Sequence, residues 1–462
     1  MNQGIGEINL MAIQSLRGRQ PTEIDEMTTL VLRFILALAM ILPAGPGGAS
    51  TELGTGFNPI NDLGPRLYLH QFQGGLYANG SNQVPPAHIL TGLAHSAAIQ
   101  PLDTAGRPHP AGRYVLLSVG MSNTTQEFWA ANHRGPATSW SFAGQAAANS
   151  IVNHASLAIV DGAMGGQAAS VWVSPSAPNY NRVRDEQLAP LGLTEAQVQA
   201  VWLKQADIQP TVPLPNANAD AFILEKALGD IVRACKIRYP NLQVVFLSSR
   251  IYAGYAATLL NPEPYAYESG FSVQRLVQAQ INQMINGQID SIAGDLNHDS
   301  GEAPWIAWGP YLWADGLTPR SDGLAWLQSD FENDGTHPSK PGQQKVGTML
   351  LEFLLGSPFS RTWFRTYIPG DINADGAVNI FDLKILMSSW RKSAGQRGYD
   401  LRADLNGDNR VDIFDLQILA DNWGINQVGN ENKAFPPDVF HSVIGFFGGA
   451  VRLRPGGQGS GP

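Results

Sequence analysis

The sequence predicts an α/β protein with a parallel sheet covered by helices on both faces, followed by a small all-α module. Three observations predict it. Apolar runs at Tyr114–Val119, Leu157–Val160, Val198–Leu203 and Leu242–Leu247 are continuous rather than alternating, as in strands buried on both faces. Segments of helical composition separate them. Beyond Phe364 the composition changes, and a motif beginning at Asp371 recurs at Asp404.

Residues 1–49 read as an export signal: Phe34 to Leu42 is a short apolar core, followed by small residues around Ala44 and Ala49 that suit cleavage, and a start at Met27 would shorten the leader. The apolar run is shorter than the roughly 20 residues that span a bilayer, so no membrane span is expected in the mature chain, which is read as secreted or held at the cell surface. Residues 50–112 are rich in turn signals and read as an irregular lead-in packed on the main domain. That domain is placed at 113–364. Its helical segments are Thr124 to Asn132, Ala221 to Tyr239 with a stripe of Phe222, Leu224, Leu228, Ile231 and Val232, Ser272 to Ile292, and a closing helix from Gln343 to Leu355; Trp305–Trp308 is a further candidate strand. The repeat module is placed at 369–424, and no role is read for the tail at 425–462.

Bulk composition narrows the function. Of 462 residues, 44% are hydrophobic and 15% charged, which is globular, and the net charge of −9 argues against a nucleic-acid partner. The single cysteine, Cys235, excludes an intrachain disulfide and reads as a small apolar residue of its helix.

In a parallel sheet, functional groups gather beyond the carboxyl ends of the strands. Polar clusters stand at those ends here: Ser122 after the first run, Asp161 to Gly166 after the second, Gln205 after the third, and Arg250 with Tyr252 after the fourth. Downstream, Asn333-Asp334-Gly335-Thr336-His337-Pro338 sets a carboxylate three residues before an imidazole. That spacing lets the carboxylate hold one ring nitrogen and leaves the other free as a general base. With Ser122 as nucleophile, His337 as base and Asp334 as its orienting acid, the set suits acyl transfer. Oxyanion donors would be the N–H of Ser122, a backbone N–H at Gly162 or Gly165, and the Gln205 amide.

Gly120-Met121-Ser122, the glycines at 162 and 165, Gln205 and Asp334-x-x-His337 resemble, in order and spacing, the blocks of the SGNH or GDSL-type hydrolases. The resemblance covers about Arg113 to Leu355. It implies a three-layer α/β/α, flavodoxin-like fold and hydrolysis of esters, often acetyl esters on carbohydrates, with no cofactor in catalysis. Met121 replaces the family's acidic residue and Gln205 its asparagine, so a non-catalytic carbohydrate-binding or scaffold component on a degenerate SGNH frame is the alternative. Plainer roles also fit: Ser122 as a helix cap, and Asp334 with His337 as a surface turn. The cluster Asp295-Leu-Asn297-His298-Asp299 reads as a polar loop, with a metal-dependent hydrolase as the rival reading.

The repeat places Asp371, Asn373, Asp375, Asn379 and Asp382, then Asp404, Asn406, Asp408, Asp412 and Asp415, at loop positions 1, 3, 5, 9 and 12. Carbonyls of Ala377 and Arg410 stand at position 7. Such hard oxygen donors suit calcium, one ion per loop. Gly376 and Asn409 supply the turn at position 6. Each loop is followed by one helical stretch, Phe381 to Trp390 and Phe414 to Trp423. This resembles a type I dockerin and implies a cohesin-bearing partner and the company of carbohydrate-active enzymes. Between Asp371 and Gly424 nine Asp oppose six Lys and Arg, a net −3 that calcium would neutralise. Ile380-Phe381 and Ile413-Phe414 are candidate partner contacts or core. An acylated carbohydrate is the substrate these readings jointly imply.

Overall fold

The computed structural model describes residues 54–129, 135–366, 368–373, 376–406 and 408–426. The expected leader at 1–49 and the tail from 427 lie outside them. Among the described residues no helix is long and apolar enough to cross a membrane.

The lead-in is more regular than its turn signals suggest, for it contains helix α1 (Pro86–Ala97). Two features that read as breakers belong to this helix. Pro86 starts it, where a missing N–H costs nothing. Gly92 marks its crossing over Trp305, whose Cζ2 would lie 2.3 Å from any added Cβ. Trp305 Nε1–H donates to the His88 carbonyl (3.2 Å), and His88 Nε2–H donates to the Ile306 carbonyl (2.8 Å). Upstream, the Thr55 and Gly56 N–H groups donate to Asp315, and the Ile60 N–H donates to the Tyr311 hydroxyl. These hydrogen bonds tie residues 55–60 and His88 to residues 305–315.

Five strands follow in chain order: β1 (Tyr114–Gly120), β2 (Leu157–Asp161), β3 (Val198–Lys204), β4 (Val244–Ser248) and β5 (Trp305–Trp308). They form one parallel sheet in the order β2-β1-β3-β4-β5, the doubly wound flavodoxin-like arrangement. Every residue of β1, β3, β4 and β5 is buried, which explains their unbroken apolar runs. Between strands lie α2 (Ser122–Phe128), α3 (Phe142–Ala148), α4 (Asp220–Arg238) and α5 (Tyr265–Asn286), with α6 (Lys340–Gly356) after β5. Helices α2 and α3 pack on α6, whereas α4 packs on α5. Helix α5 begins seven residues before its apolar periodicity does, because Glu263 accepts from the Tyr267 N–H (2.9 Å) and satisfies its first turn. Cys235 is buried in α4, and burial pushes its thiol up to about 12, as befits an inert apolar position.

Register aligns the strand ends: Gly120 pairs with Lys204, and Lys204 with Ser248. The strand order reverses direction between β1 and β3, so a crevice opens there. Ser122 and Gln205 follow the two strands that flank it.

The repeat has its own core of Ile368, Ile372, Val378, Leu383, Leu386, Val411, Leu416 and Leu419, formed around α7 (Ile380–Ser388) and α8 (Ile413–Asp421). Of the paired apolar residues, Ile413 packs partly on this core, while Ile380, Phe381 and Phe414 are 53%, 62% and 64% exposed.

Candidate active site

Gly120 lets β1 turn sharply into α2. A Cβ there would lie 2.2 Å from Thr124 Oγ1 and 2.5 Å from the Lys204 carbonyl. Without it, Thr124 Oγ1–H donates to that carbonyl (2.7 Å) and stitches α2 to the end of β3. Met121 is the extended residue before α2, buried, with its sulfur 3.3 Å from Thr124 Oγ1. It therefore packs the turn rather than facing the chemistry. Ser122 is the first helical residue, not a side-chain cap, and its hydroxyl is directed elsewhere.

That hydroxyl lies 2.8 Å from His337 Nε2, across 215 residues of sequence. His337 Nδ1–H donates to Asp334 Oδ2 at 2.5 Å. Asp334 Oδ1 accepts from the N–H groups of Thr336 (2.9 Å) and His337 (3.0 Å), so one carboxylate shapes the turn and orients the ring. Burial would raise the Asp334 carboxyl, but the His337 N–H, the imidazole and the Thr336 N–H outweigh it and hold Asp334 below its ordinary value. Gly335 has φ +64° and sits under the Tyr255 carbonyl, 1.9 Å from where a Cβ would stand. Only glycine closes this turn against its neighbour. Asn123 Nδ2–H donates to the Thr336 carbonyl (3.0 Å), which ties the nucleophile helix to the Asp-His turn.

The two candidate glycines separate. Gly162 N–H donates to Ser118 Oγ (3.1 Å), so the structure turns this donor toward the sheet and away from an oxyanion role. Beyond it the loop folds back, with Met164 N–H on the Gly120 carbonyl (3.2 Å), and a Cβ on Gly165 would lie 3.8 Å from Ser122 Cβ. Gly165 is the glycine beside the serine. Gln205 is buried at the end of β3; its Nε2 donates to the Gln167 carbonyl (3.3 Å), and its Oε1 is buried without a partner. Arg250 is also buried at its strand end, with Nε and Nη2 unpartnered, near the charges of Glu127, Glu263 and Asp334. Tyr252 is buried. The Asp295–Asp299 loop lies before β5, at the opposite edge of the sheet from the serine. Asp295 Oδ1 accepts from Gln283 Nε2 (2.6 Å) and the Asn297 N–H (3.0 Å), a turn-forming role.

Three buried ionisable groups behind the serine escape sequence reasoning. Lys204 and Glu127, both wholly buried, form an ion pair that joins β3 to α2. Burial drives each toward its neutral form, Lys204 to about 8, while each partner's charge opposes this. Asp161 accepts from Ser118 Oγ and Thr125 Oγ1, both at 2.5 Å, and so anchors α2 to β1 and β2. A lysine ending an apolar strand and an aspartate opening the glycine loop were the only signals in the sequence.

In the repeat, the candidate ligand carboxylates also hold their own loops by hydrogen bonds. In the first, Asp371 Oδ2 accepts from the Gly376 N–H (2.9 Å), and Asp382 accepts from the N–H groups of Ile372, Asn373 and Asn379. In the second, Asp404 accepts from the Asp408 and Asn409 N–H groups, and Asp415 from Leu405, Asn406 and Asp412. Both loops thus wrap their backbone around the first and last carboxylates, and position 6 is left-handed in each, with φ +90° at Gly376 and +67° at Asn409. Asn379 and Asp412 also cap their helices in capping boxes. Burial raises the Asp415 carboxyl, and Asp404 adds to the rise against the backbone donors. Converging oxygens that repel one another fit a hard divalent cation. Asp375 lies outside the described residues. Among the described residues no cluster of three His, Cys, Asp or Glu forms a metal site, and these loops would draw also on Asn and carbonyl oxygens.

Residues 369–422 match the family model described as the dockerin type I domain. Comparison with curated proteins finds no match. Among solved structures the chain is similar to an extracellular lipase from Streptomyces rimosus (15% identity, 51% of this chain and 99% of that one, TM-score 0.25). It is similar also to phospholipase A1 from Streptomyces albidoflavus (15%, 52% and 98%, TM-score 0.26) and to a protein from Arabidopsis thaliana (13%, 64% and 93%, TM-score 0.27). At such TM-scores the fold rests on the sheet order and register given above, not on these neighbours.

Proposed function

We propose that this chain is an exported serine esterase of the SGNH type that deacylates, and above all deacetylates, a carbohydrate or polysaccharide, with a calcium-binding dockerin-type module for assembly or anchoring. One observation carries the catalytic part: Ser122 Oγ, His337 and Asp334 form a continuous hydrogen-bonded chain of 2.8 and 2.5 Å at the carboxyl edge of the sheet.

The hydroxyl of Ser122 attacks the acyl carbonyl as His337 Nε2 takes its proton, and Asp334 stabilises the imidazolium that forms. The oxyanion receives the Ser122 N–H, the Gly165 backbone N–H and the Gln205 amide. Collapse expels the sugar oxygen, which takes the proton back from His337. Water, deprotonated by the same imidazole, then releases the acyl group from Ser122.

Asp371, Asn373, Asp375, Asn379 and Asp382 with the Ala377 carbonyl would hold one calcium ion. Asp404, Asn406, Asp408, Asp412 and Asp415 with the Arg410 carbonyl would hold the other. The ions neutralise the loops and order the module. Exposed Ile380, Phe381 and Phe414 offer an apolar face to a cohesin-bearing partner, and the carbohydrate substrate is inferred from that association.

The test is hydrolysis of a chromogenic acetate and a panel of acetylated sugars by the full chain, beside Ser122→Ala and His337→Ala. Both variants should lose roughly 10⁴-fold or more in kcat while keeping the parent's circular dichroism. Unchanged turnover by Ser122→Ala would sink the triad, and no turnover by the folded parent would favour a binding or scaffold role.

A further inference from the structure

A cavity of about 260 Å³ opens between α4 and α5 where Gln73 to Ala78 of the lead-in cross them, and none of the residues lining it belongs to the serine site. Its walls carry a hydrogen-bonding imbalance. Glu225 of α4 is 1% exposed; its Oε2 accepts from Arg275 Nε (2.5 Å), but its Oε1 is buried without a partner. One turn along α5, Gln278 donates from Nε2 to Asn282 Oδ1 (2.7 Å), and its Oε1 is likewise buried without a partner. Buried acceptors left unpaired are uncommon and costly. Here two of them line one polar cleft, which Arg275 lines as well.

The cleft is also fixed in shape. Gln274 Nε2 donates to the carbonyls of Gln73 (3.0 Å) and Gly75 (2.5 Å), which clamps the lead-in to α5. Arg275 lies over the Phe222 ring, 5.0 Å from its centroid. The charge in the cleft then restricts what enters. A cationic ligand meets Arg275, and an anionic one meets Glu225 and Asp290. A neutral ligand with several hydroxyls suffers neither repulsion: it donates to Glu225 Oε1 and Gln278 Oε1 and accepts from the guanidinium. Burial, outweighing Arg275, pushes Glu225 up to about 7, and the oxygen that Arg275 does not hold, Oε1, is the acceptor left for a ligand hydroxyl.

We propose that this cleft is a second, non-catalytic binding site for a neutral saccharide, recognised through Glu225, Arg275 and Gln278 and separate from Ser122. The site stands whether or not Ser122 is an esterase nucleophile, because its residues and its ligand chemistry are independent of acyl transfer.

The experiment uses the full chain carrying Ser122→Ala, so that no probe is turned over, and unacylated probes: xylotetraose, cellotetraose and methyl β-glucoside, with glucosamine and glucuronate as charged controls. Binding is read by saturation-transfer NMR and calorimetric titration. At least one neutral probe should bind in the millimolar range or tighter, and adding Gln278→Leu should weaken it about tenfold or more. Gln278 is half-buried on a helix surface, so that variant should keep the parent's melting temperature; Glu225→Gln gives a second, shape-conserving test. No binding by any neutral probe, equal binding in both variants, or equal affinity for glucosamine or glucuronate would each overturn the proposal.

Discussion

The α/β part and the repeated C-terminal part assemble their polar sites in opposite ways. In the first, Ser122 and His337 come from 215 residues apart, and the sheet and its helices bring them together over a continuous apolar core. In the second, each set of oxygens lies within a single loop, over a small core that among the described residues has nine buried apolar side chains, Ala403 included. The first site is held by a fold that can exist before any ligand arrives. The second places several carboxylates close together with little core beneath them, so its order depends on what neutralises them. On the proposed function the first site is preorganised by tertiary packing and the second is ordered by its ion, and perturbations should tell the two apart.

The sharpest perturbation of the first region is to the buried pair behind the nucleophile. Replacing Glu127 by Gln leaves the Lys204 ammonium uncompensated in the interior, a change that costs about 3–5 kcal/mol. The denaturation midpoint of the α/β transition should fall accordingly. The double variant Glu127→Leu, Lys204→Met removes both charges at similar volume and should regain most of that loss. If the single variant were as stable as the parent, the pair would not hold α2 to β3 as described. The C-terminal transition should not respond to either change.

Chelation tests the other region. An ion present at a hundred to a thousand times its dissociation constant stabilises the folded module by about 2.7–4.1 kcal/mol. In a unit this small, that should shift its melting by roughly 10 °C or more. Calorimetry of the full chain with calcium and then with EDTA should therefore move one transition and leave the α/β transition in place. Asp415→Ala should reproduce part of the EDTA shift even in calcium, because it removes both a proposed ligand and the acceptor for three backbone N–H groups. Equal melting with and without chelator would show that the hydrogen bonds alone order the loops.

The same contrast explains what could be read from the sequence. Features fixed within a few residues were legible: the continuous strands, the repeat with its left-handed position 6, and the Asp334-to-His337 spacing. Features fixed across the fold were not. Nothing local distinguishes Gly162 from Gly165, because the choice depends on Ser118 capturing the first and on the loop folding back over Gly120. Glu127 and Lys204 lie 77 residues apart and look unremarkable alone. Helix α1 was hidden by prolines and a glycine whose reasons lie in a helix start and in Trp305.

Asp161 offers the smallest and most discriminating test of preorganisation. Its carboxyl is buried, and burial pushes it up to about 7 against the hydrogen bonds of Ser118, Thr125 and the Ala163 N–H and the nearby charge of Arg182. A carboxyl whose folded value lies above its unfolded one binds protons more tightly when folded. Its contribution to stability is therefore complete below the ordinary carboxylate range and is lost as pH rises toward 7. Asp161→Asn keeps the shape and removes the titration. The melting temperature of the parent minus that of the variant should thus be largest near pH 4, decline by a few degrees toward pH 7, and then level off, other titrations cancelling in the difference. A difference that instead grows with pH would mean that the hydroxyl and backbone donors outweigh burial. Asp161 would then anchor α2 as a carboxylate throughout, and the serine helix would be held by charge rather than by a shared proton.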